Sequence, residues 1–377
     1  FIYNLAYQIL ALALPLITAP YVSRVLGANN LGIYSYTMSI TTYFILFGSL
    51  GMVLYGQREI AYYQDEKRKL SSTFFEIFIL RCTTMAISMV IFFFIFIFNH
   101  NEYSIYYIVL LIEMAATVLD ISWFFQGMEE FKKIVIRNSV IKLVSIICIF
   151  TLVKSTNDLT IYFVVNVVSN LAGNLSLWFS LPKYIEKTSL KELNIQKHIK
   201  PTIALFVPQI AIQVYTVLDK TMIGTIITDK SQTGFYDQAQ KIIKMLLTVV
   251  TSLGTVMIPR IANRFKKNDH KKVTEYIEKS FRMVFLMSTP MLVGIFTCSN
   301  RFVPFFFGPG FDEVSILMKI ISPILVFVGI SGIIGSQYLV AAKRQKELTI
   351  SVLIGAGINF VINLLLIPGL GALGASI

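Results

Sequence analysis

Long apolar segments separated by short polar connections run through the whole chain of 377 residues. A bilayer core about 30 Å thick requires some 20 apolar residues in a helix, and eleven stretches of about that length can be identified. They are residues 3–22, 34–55, 73–98, 103–125, 134–153, 160–181, 202–227, 239–259, 281–303, 314–337 and 348–367. Such runs lack the alternation of membrane β-strands, so the pattern predicts transmembrane helices.

The composition agrees with a lipid environment. Hydrophobic residues make up 55% of the chain and charged residues only 14%. A water-soluble domain carries about a quarter charged residues and could not cover this much apolar surface. The sequence therefore predicts a polytopic integral membrane protein.

The basic residues predict the orientation. If the N-terminus lies in the cytoplasm, 24 of the 33 Lys and Arg residues fall in inner loops and only Arg24, Lys154, Lys230 and Arg301 fall in outer loops. This asymmetry is the positive-inside pattern, and it predicts a cytoplasmic N-terminus. The net charge of +12 is then explained by topology and by anionic lipid, and we expect no nucleic-acid partner.

Cysteine and histidine usage argues against metal and disulfide chemistry. The three cysteines lie in apolar segments and the three histidines in loops. We expect no cofactor and, because the predicted outer loops are at most about a dozen residues long, no extramembrane catalytic domain. The protein is therefore predicted not to be an enzyme. The chain opens at Phe1 without a methionine and stops in what looks like the first turns of a helix, so we expect both ends to be incomplete.

A short motif occurs twice. A Gly-x-Tyr sequence followed by arginine 24 residues after the tyrosine is found at Tyr34 and again at Tyr236, an offset of 202 residues. Six predicted helices separate the copies, so both halves would have the same orientation, as in transporters with parallel repeats. We predict an N-terminal bundle over 1–200 and a C-terminal bundle over 201–377 with the binding site between them; a chance match of short motifs is the alternative.

Several segments resemble signatures of the Wzx-type O-antigen and capsular-repeat flippases. They are Pro15–Gly27, Gly32–Ser35, Tyr55–Ala61, Asp120–Phe131, Leu218–Gly224 and Tyr236–Ile242. The resemblance extends over essentially the whole chain. It implies membership of the MOP superfamily, which includes multidrug exporters and the peptidoglycan-precursor flippase. The implied fold class is an all-α, MATE-like membrane protein with two six-helix bundles around a central cavity, whose closing helices are missing here.

The same resemblance implies a function and partners. A protein of this kind would translocate undecaprenyl-pyrophosphate-linked oligosaccharide repeat units from the cytoplasmic to the outer leaflet by alternating access, in the bacterial inner membrane. Its partners would be the lipid-linked substrate, membrane lipids, and the polymerase and chain-length machinery of O-antigen, lipopolysaccharide or capsule. Coupling to a proton or sodium gradient is implied as well.

Such a substrate needs cations for its pyrophosphate within the membrane. Arg81 lies about nine residues into the third predicted span, roughly 13 Å deep at the helical rise. It is predicted to bind phosphate, or alternatively to form a structural ion pair with Glu113 or Glu76. Arg24, at the outer end of the first span, is a second candidate anion ligand or an interfacial anchor.

Further candidates follow helical spacing. Lys220 lies seven residues before the end of the seventh predicted span, next to Asp219 as its expected partner. Gln209 and Gln213 share a helix face with Lys220, so this stripe is predicted to bind substrate.

A second polar stripe lies on the sixth predicted span. Asn166, Asn170 and Asn174 recur every four residues and would bind sugar hydroxyls or join neighbouring helices. The carboxylates expected to couple transport to an ion gradient are Asp219 and Glu113.

Two other functions fit parts of the pattern. A multidrug exporter of the same superfamily would bind cationic apolar drugs and should favour carboxylates over the Arg and Lys found inside the spans. A membrane enzyme of polysaccharide assembly would need a sizeable outer loop or a carboxylate cluster.

Overall fold

The computed structural model describes residues 2–100, 102–189 and 193–377, without the side chains of 2–13, 207–208, 211–212, 214–215, 253 and 255–256. Regular structure in these residues is helical throughout. The α-helices are α1 Ile2–Ser49, α2 Met52–Tyr62, α3 Lys67–Phe93, α4 Ser104–Val118, α5 Ser122–Gly127, α6 Phe131–Leu152, α7 Leu159–Trp178, α8 Gln196–Ile226, α9 Ser231–Lys266, α10 His270–Phe307, α11 Asp312–Ile321, α12 Ile324–Gly332, α13 Gln345–Leu370 and α14 Ala372–Ser376. Two π-helical segments, Phe94–Phe98 and Ile333–Leu339, continue α3 and α12.

The predicted membrane spans coincide with these helices. Among the described residues, nine helical segments are long and apolar enough to cross a membrane. The first, Leu14–Tyr62, covers the second predicted span and residues 14–22 of the first, and the seventh predicted span lies in α8, where several side chains are not described. Each remaining prediction falls, to within a residue, inside one of the other eight segments. The all-α membrane fold is therefore confirmed.

The first predicted outer loop is instead a kinked helix. Between residues 22 and 34, α1 is interrupted only at Gly27, whose φ of 74° and ψ of 171° are not helical. A positive φ is tolerated by glycine because it has no Cβ. Helical structure therefore stops at Gly27 and resumes directly after it. Arg24 lies exposed one turn before the kink.

The chain divides into two compact units, each described here by itself. Unit 1 comprises residues Phe1–Leu26 and Tyr36–Val217, and unit 2 comprises Gly27–Ser35 and Leu218–Ile377. The later division lies inside α8, between Val217 and Leu218, and the boundary predicted after residue 200 falls in the same helix, 17 residues earlier. The core of unit 1 is aromatic: Trp123 is 1% exposed and stacks on Phe74 with ring centroids 5.6 Å apart.

Two glycines allow the closest helix crossing in the described part of unit 2. A Cβ on Gly32 would overlap the carbonyl oxygen of Lys230, and a Cβ on Gly234 would overlap that of Ala28. The 202-residue offset of the predicted repeat relates Gly32 to Gly234 and Ala28 to Lys230. The repeat itself stays a prediction, but the crossing explains why glycine is needed at both positions.

Replacing Gly234 by Ala is expected to destabilise the protein by about 1–3 kcal/mol, the usual cost of overpacking, because the added methyl group meets rigid backbone. The measurement is the thermal unfolding midpoint of the purified protein in detergent. Gly294→Ala, in α10, is the matched control, since nothing lies within 4 Å of its Cβ position. An equal midpoint for the two variants would contradict the close crossing.

Candidate functional site

A cluster of charged side chains lies where α8 and α9 form a hairpin in unit 2. The two helices are joined by only four residues, and Lys220 of α8 lies against Asp237 of α9. Asp237, 4% exposed, receives an ion pair from Lys220 on one oxygen and from Lys241 on the other, the latter at 2.7 Å. Lys241 and Lys244 lie four and seven residues after Asp237, on the same face of α9. Two lysines thus pair with one buried carboxylate, and Lys244 interacts with it electrostatically.

The expected pairing of Lys220 with Asp219 is wrong. Adjacent residues of an α-helix point about 100° apart, so the two side chains meet different partners. Lys220 contacts Asp237, whereas Asp219 accepts hydrogen bonds from the Tyr236 hydroxyl and from Nδ2 of Asn363 at 2.7 Å.

Asp219 is the centre of a second cluster, in which hydroxyl and amide groups donate to its carboxylate. Asn363 of α13 also donates to Oδ1 of Asn359 at 3.3 Å, and Nε2 of Gln240 donates to the Tyr236 hydroxyl at 2.9 Å. Asp219 itself is buried; neutral hydroxyl and amide groups donate its hydrogen bonds, and Lys244 acts on it electrostatically. Such a carboxylate can take up a proton or a small cation with little rearrangement.

The partners expected for Arg81 in unit 1 are also wrong. Its side chain is buried, and its two terminal nitrogens donate to the carbonyl oxygens of Thr117 and Asp120, at 2.6 and 2.7 Å. These carbonyls lie at the end of α4, where helices leave acceptors unpaired. Arg81 therefore caps a helix rather than pairing with Glu113 or Glu76. Its predicted substrate role stays untested and does not enter the site described above.

The asparagine stripe on α7 mostly joins helices. Asn170 donates to the carboxylate of Glu113 at 3.1 Å, and Asn174 donates to the carbonyl oxygen of Ala116 at 2.7 Å, both on α4. Asn166 donates to the carbonyl oxygen of Tyr162 in its own helix. These contacts match the packing alternative for the stripe; sugar binding by Asn166 and Asn170 stays a prediction, as does coupling by Glu113.

The remaining predicted residues lie apart from these clusters. Gln209 and Gln213 are half-buried on α8 within unit 1, and their stripe leaves that unit before it reaches Lys220. Arg24 is exposed on α1. In the described residues, no group of three His, Cys, Asp or Glu side chains could hold a metal ion.

Sequence reasoning missed a buried network in unit 1. Nε2 of His198 lies 2.8 Å from the Glu76 carboxylate, and Nδ1 lies 2.7 Å from the Tyr55 hydroxyl. We assign the neutral ring with its proton on Nε2, because Nε2 then donates to the carboxylate and Nδ1 accepts from the hydroxyl. Glu76 also pairs with Lys197 and accepts the backbone N–H of Asn194. The network fastens Asn194 and the first turn of α8 to α2 and α3. The available signal was an acidic residue inside an apolar helix without a local partner.

The network makes stability depend on pH. Burial lowers the pKa of His198 below its ordinary value of 6.5, although Glu76 opposes the shift. Below that value the unfolded chain binds a proton that the folded chain does not, so stability is expected to fall as the pH decreases from 7.5 to 5.5. The measurement is the unfolding midpoint across this range. The His198→Gln variant should show a shallower decrease, and an equally steep one would contradict the assignment.

Comparisons with known proteins agree with the fold. Residues 1–265 match the family described as "Polysaccharide biosynthesis protein", and residues 204–365 match the MatE family. A protein of Escherichia coli (strain K12) named "Putative O-antigen transporter" is 25% identical over 349 residues, which are 92% of this chain and 83% of that protein.

Two solved structures are similar in fold. An inward-facing multidrug resistance MATE transporter of the MOP superfamily has a TM-score of 0.75 at 11% identity, covering 98% of this chain and 89% of that one. The lipid II flippase MurJ, in an inward closed conformation, has a TM-score of 0.74 at 17% identity, covering 100% and 82%. These similar proteins are transporters and flippases by name. Because the first family match extends over well more than half of the sequence, the chain belongs to the polysaccharide biosynthesis protein family.

Proposed function

We propose that this protein is a flippase that moves undecaprenyl-pyrophosphate-linked oligosaccharide repeat units across the bacterial inner membrane by alternating access. The observation that carries the proposal is the excess of positive charge around Asp237 in unit 2. Lys241 and Lys244 lie 10 and 13 residues after the start of α9, roughly 15 and 20 Å along the helix. An anionic ligand would balance the positive charge that the carboxylates of this cluster leave uncompensated.

The charges support a phosphate-bearing substrate on energetic grounds. A charged side chain in the middle of a span costs about 2.5–3.5 kcal/mol on insertion scales. Asp237 pairs with Lys220 and Lys241, and Lys244 interacts with both Asp237 and Asp219, so the three lysines exceed the two carboxylates by one positive charge. A pyrophosphate group has the required charge, whereas the polyprenyl tail can remain in lipid.

Asp219 is our proposed coupling residue. Protonation, or binding of a sodium ion, would change its hydrogen bonds to Tyr236 and Asn363, which join α8 to α9 and α13. The Asp219→Asn variant is expected to export at least tenfold less polysaccharide and to lose its response to a collapsed ion gradient. The measurement is export with and without an ionophore, at equal protein level. A variant that exports normally and still responds to the ionophore would remove Asp219 from coupling.

A multidrug exporter is the second candidate, because residues 204–365 match the MatE family. A cationic drug would be bound by a carboxylate, and Asp219 is the available one in unit 2. Resistance to cationic drugs in cells that express the protein, without any effect on polysaccharide, would favour this candidate.

The experiment that tests the proposed function is depletion in cells. Loss of the protein is expected to stop surface polysaccharide and to accumulate the lipid-linked intermediate with its sugars facing the cytoplasm. Re-expression of the wild-type chain should reverse both effects. Depletion that stops the polysaccharide without accumulating the intermediate would refute a flippase and would favour an enzyme acting earlier in assembly.

A further inference from the structure

Unit 2 contains a cavity that is separate from the lysine cluster. Its volume is about 460 Å³, and residues of α9, α10, α12, the second π-helical segment and α13 line it. The polar lining consists of hydroxyl and amide groups, from Thr251, Ser280, Ser331, Ser336 and Gln337, without a charged side chain. Small-molecule sites range from about 300 to 1,000 Å³, so the cavity could hold a small ligand.

Two buried polar side chains at this cavity have unpaired atoms. Gln337 is 4% exposed and Ser280 is 3% exposed. Oε1 of Gln337 and Oγ of Ser280 have no hydrogen-bond partner in the structure. An unpaired buried polar atom costs about 1–3 kcal/mol, so both atoms would gain from a ligand that brings hydroxyl groups.

The local backbone keeps space open beside Gln337. A Cβ on Gly332 would have no neighbour within 4 Å, and a Cβ on Gly254 would meet only Nε2 of Gln337, at 3.5 Å. Gln337 belongs to the π-helical segment Ile333–Leu339. Because π-helical turns are rare and occur frequently at functional sites, this is a second, independent feature of a binding site.

We propose that this cavity binds one neutral sugar ring of the lipid-linked substrate, an inference that rests on the proposed function. The sugar hydroxyls donate to Oε1 of Gln337 and exchange hydrogen bonds with Ser280. The buried side chains of Val250 and Val284 contact the apolar face of the ring. The lack of charge in the lining selects a neutral sugar over an acidic one, because an acidic sugar would lose its hydration without finding a cation. The two parts of the substrate, pyrophosphate and sugar, would thus contact different places in unit 2.

The test measures binding of four probes to the purified full chain by saturation-transfer NMR: glucose, galactose, N-acetylglucosamine and glucuronate. At least one neutral sugar is expected to bind, and glucuronate at least tenfold more weakly than glucose. Gln337→Leu and Gly332→Leu should each weaken the neutral sugar at least tenfold, because the first removes the acceptor and the second fills the open space. Gly355→Leu is the matched control, since its Cβ position is equally open but outside the cavity.

Three outcomes would overturn the proposal. The first is that no neutral sugar binds, so that the cavity would hold only water. The second is equal binding of the neutral sugar by the wild type and both cavity variants, and the third is binding of glucuronate as tight as that of glucose.

Export by Lys220→Met separates this inference from the proposed function. If Lys220→Met loses export while the cavity variants bind sugar normally, the cavity proposal fails and the flippase stands. If Lys220→Met exports normally while the cavity variants lose sugar binding, the flippase mechanism fails instead.

Discussion

Replacement of Lys220 by Met is expected to lower export of surface polysaccharide at least tenfold at equal protein level. Met keeps the length and apolar stem of the side chain but removes the charge. In the variant, Asp237 keeps Lys241 as its partner at 2.7 Å, so the buried carboxylate remains compensated and the hairpin should still fold. The expected loss is therefore one of substrate binding, equivalent to about 1.4 kcal/mol or more.

Lys319→Met is the matched control for that experiment. Lys319 is also a lysine of unit 2 near the end of a membrane span, but it donates to Oδ1 of Asn300 and is not one of the two lysines that pair with Asp237. It should leave export unchanged. Equal export by both variants and the wild type would remove the lysine cluster from the mechanism, and equal loss in both would indicate a general effect of charge on insertion.

Replacement of Arg81 by Met should instead act on folding. The substitution leaves the carbonyl oxygens of Thr117 and Asp120 without their charged donors inside unit 1. Hydrogen bonds from charged groups contribute about 1.5–3 kcal/mol each, so a loss of about 3 kcal/mol or more is expected. The measurement is the thermal unfolding midpoint in detergent, together with the amount of protein in the membrane.

Arg81→Lys provides the graded control, because an ammonium group of similar length can reach one of the two carbonyl oxygens. Its midpoint should lie between those of the wild type and Arg81→Met. If Arg81→Met were as stable as the wild type but failed to export, the helix-capping role would be wrong, and the phosphate-binding role predicted from the sequence would replace it.

The fold could be predicted from the sequence because the physical signal is large and local. Twenty apolar residues in a row permit few structures in lipid, and every predicted span coincides with a helix. The kink at Gly27 was missed because a glycine between two apolar segments is compatible with a loop, a helix end or a bend. Only the φ angle of 74° distinguishes these.

Side-chain pairing could not be predicted in the same way. The sequence shows that Lys220, Asp219 and Asp237 are near a turn, but the pairing depends on the rotation of α8 against α9. That rotation joins Lys220 to Asp237 and leaves Asp219 to Tyr236. The partners of Arg81 were predicted wrongly for a related reason, because a list of charged residues does not show the backbone carbonyl acceptors at a helix end.

The most direct test of the account is translocation in vesicles made with the purified protein. A polyprenyl-pyrophosphate-linked oligosaccharide is incorporated in both leaflets, an ion gradient is imposed, and the fraction open to an external glycosidase is followed with time. We expect wild-type protein to make the protected fraction of the substrate accessible to the glycosidase, whereas vesicles with Lys220→Met should behave like protein-free vesicles. A protected fraction that is unchanged with wild-type protein, under gradients of both protons and sodium, would contradict the account.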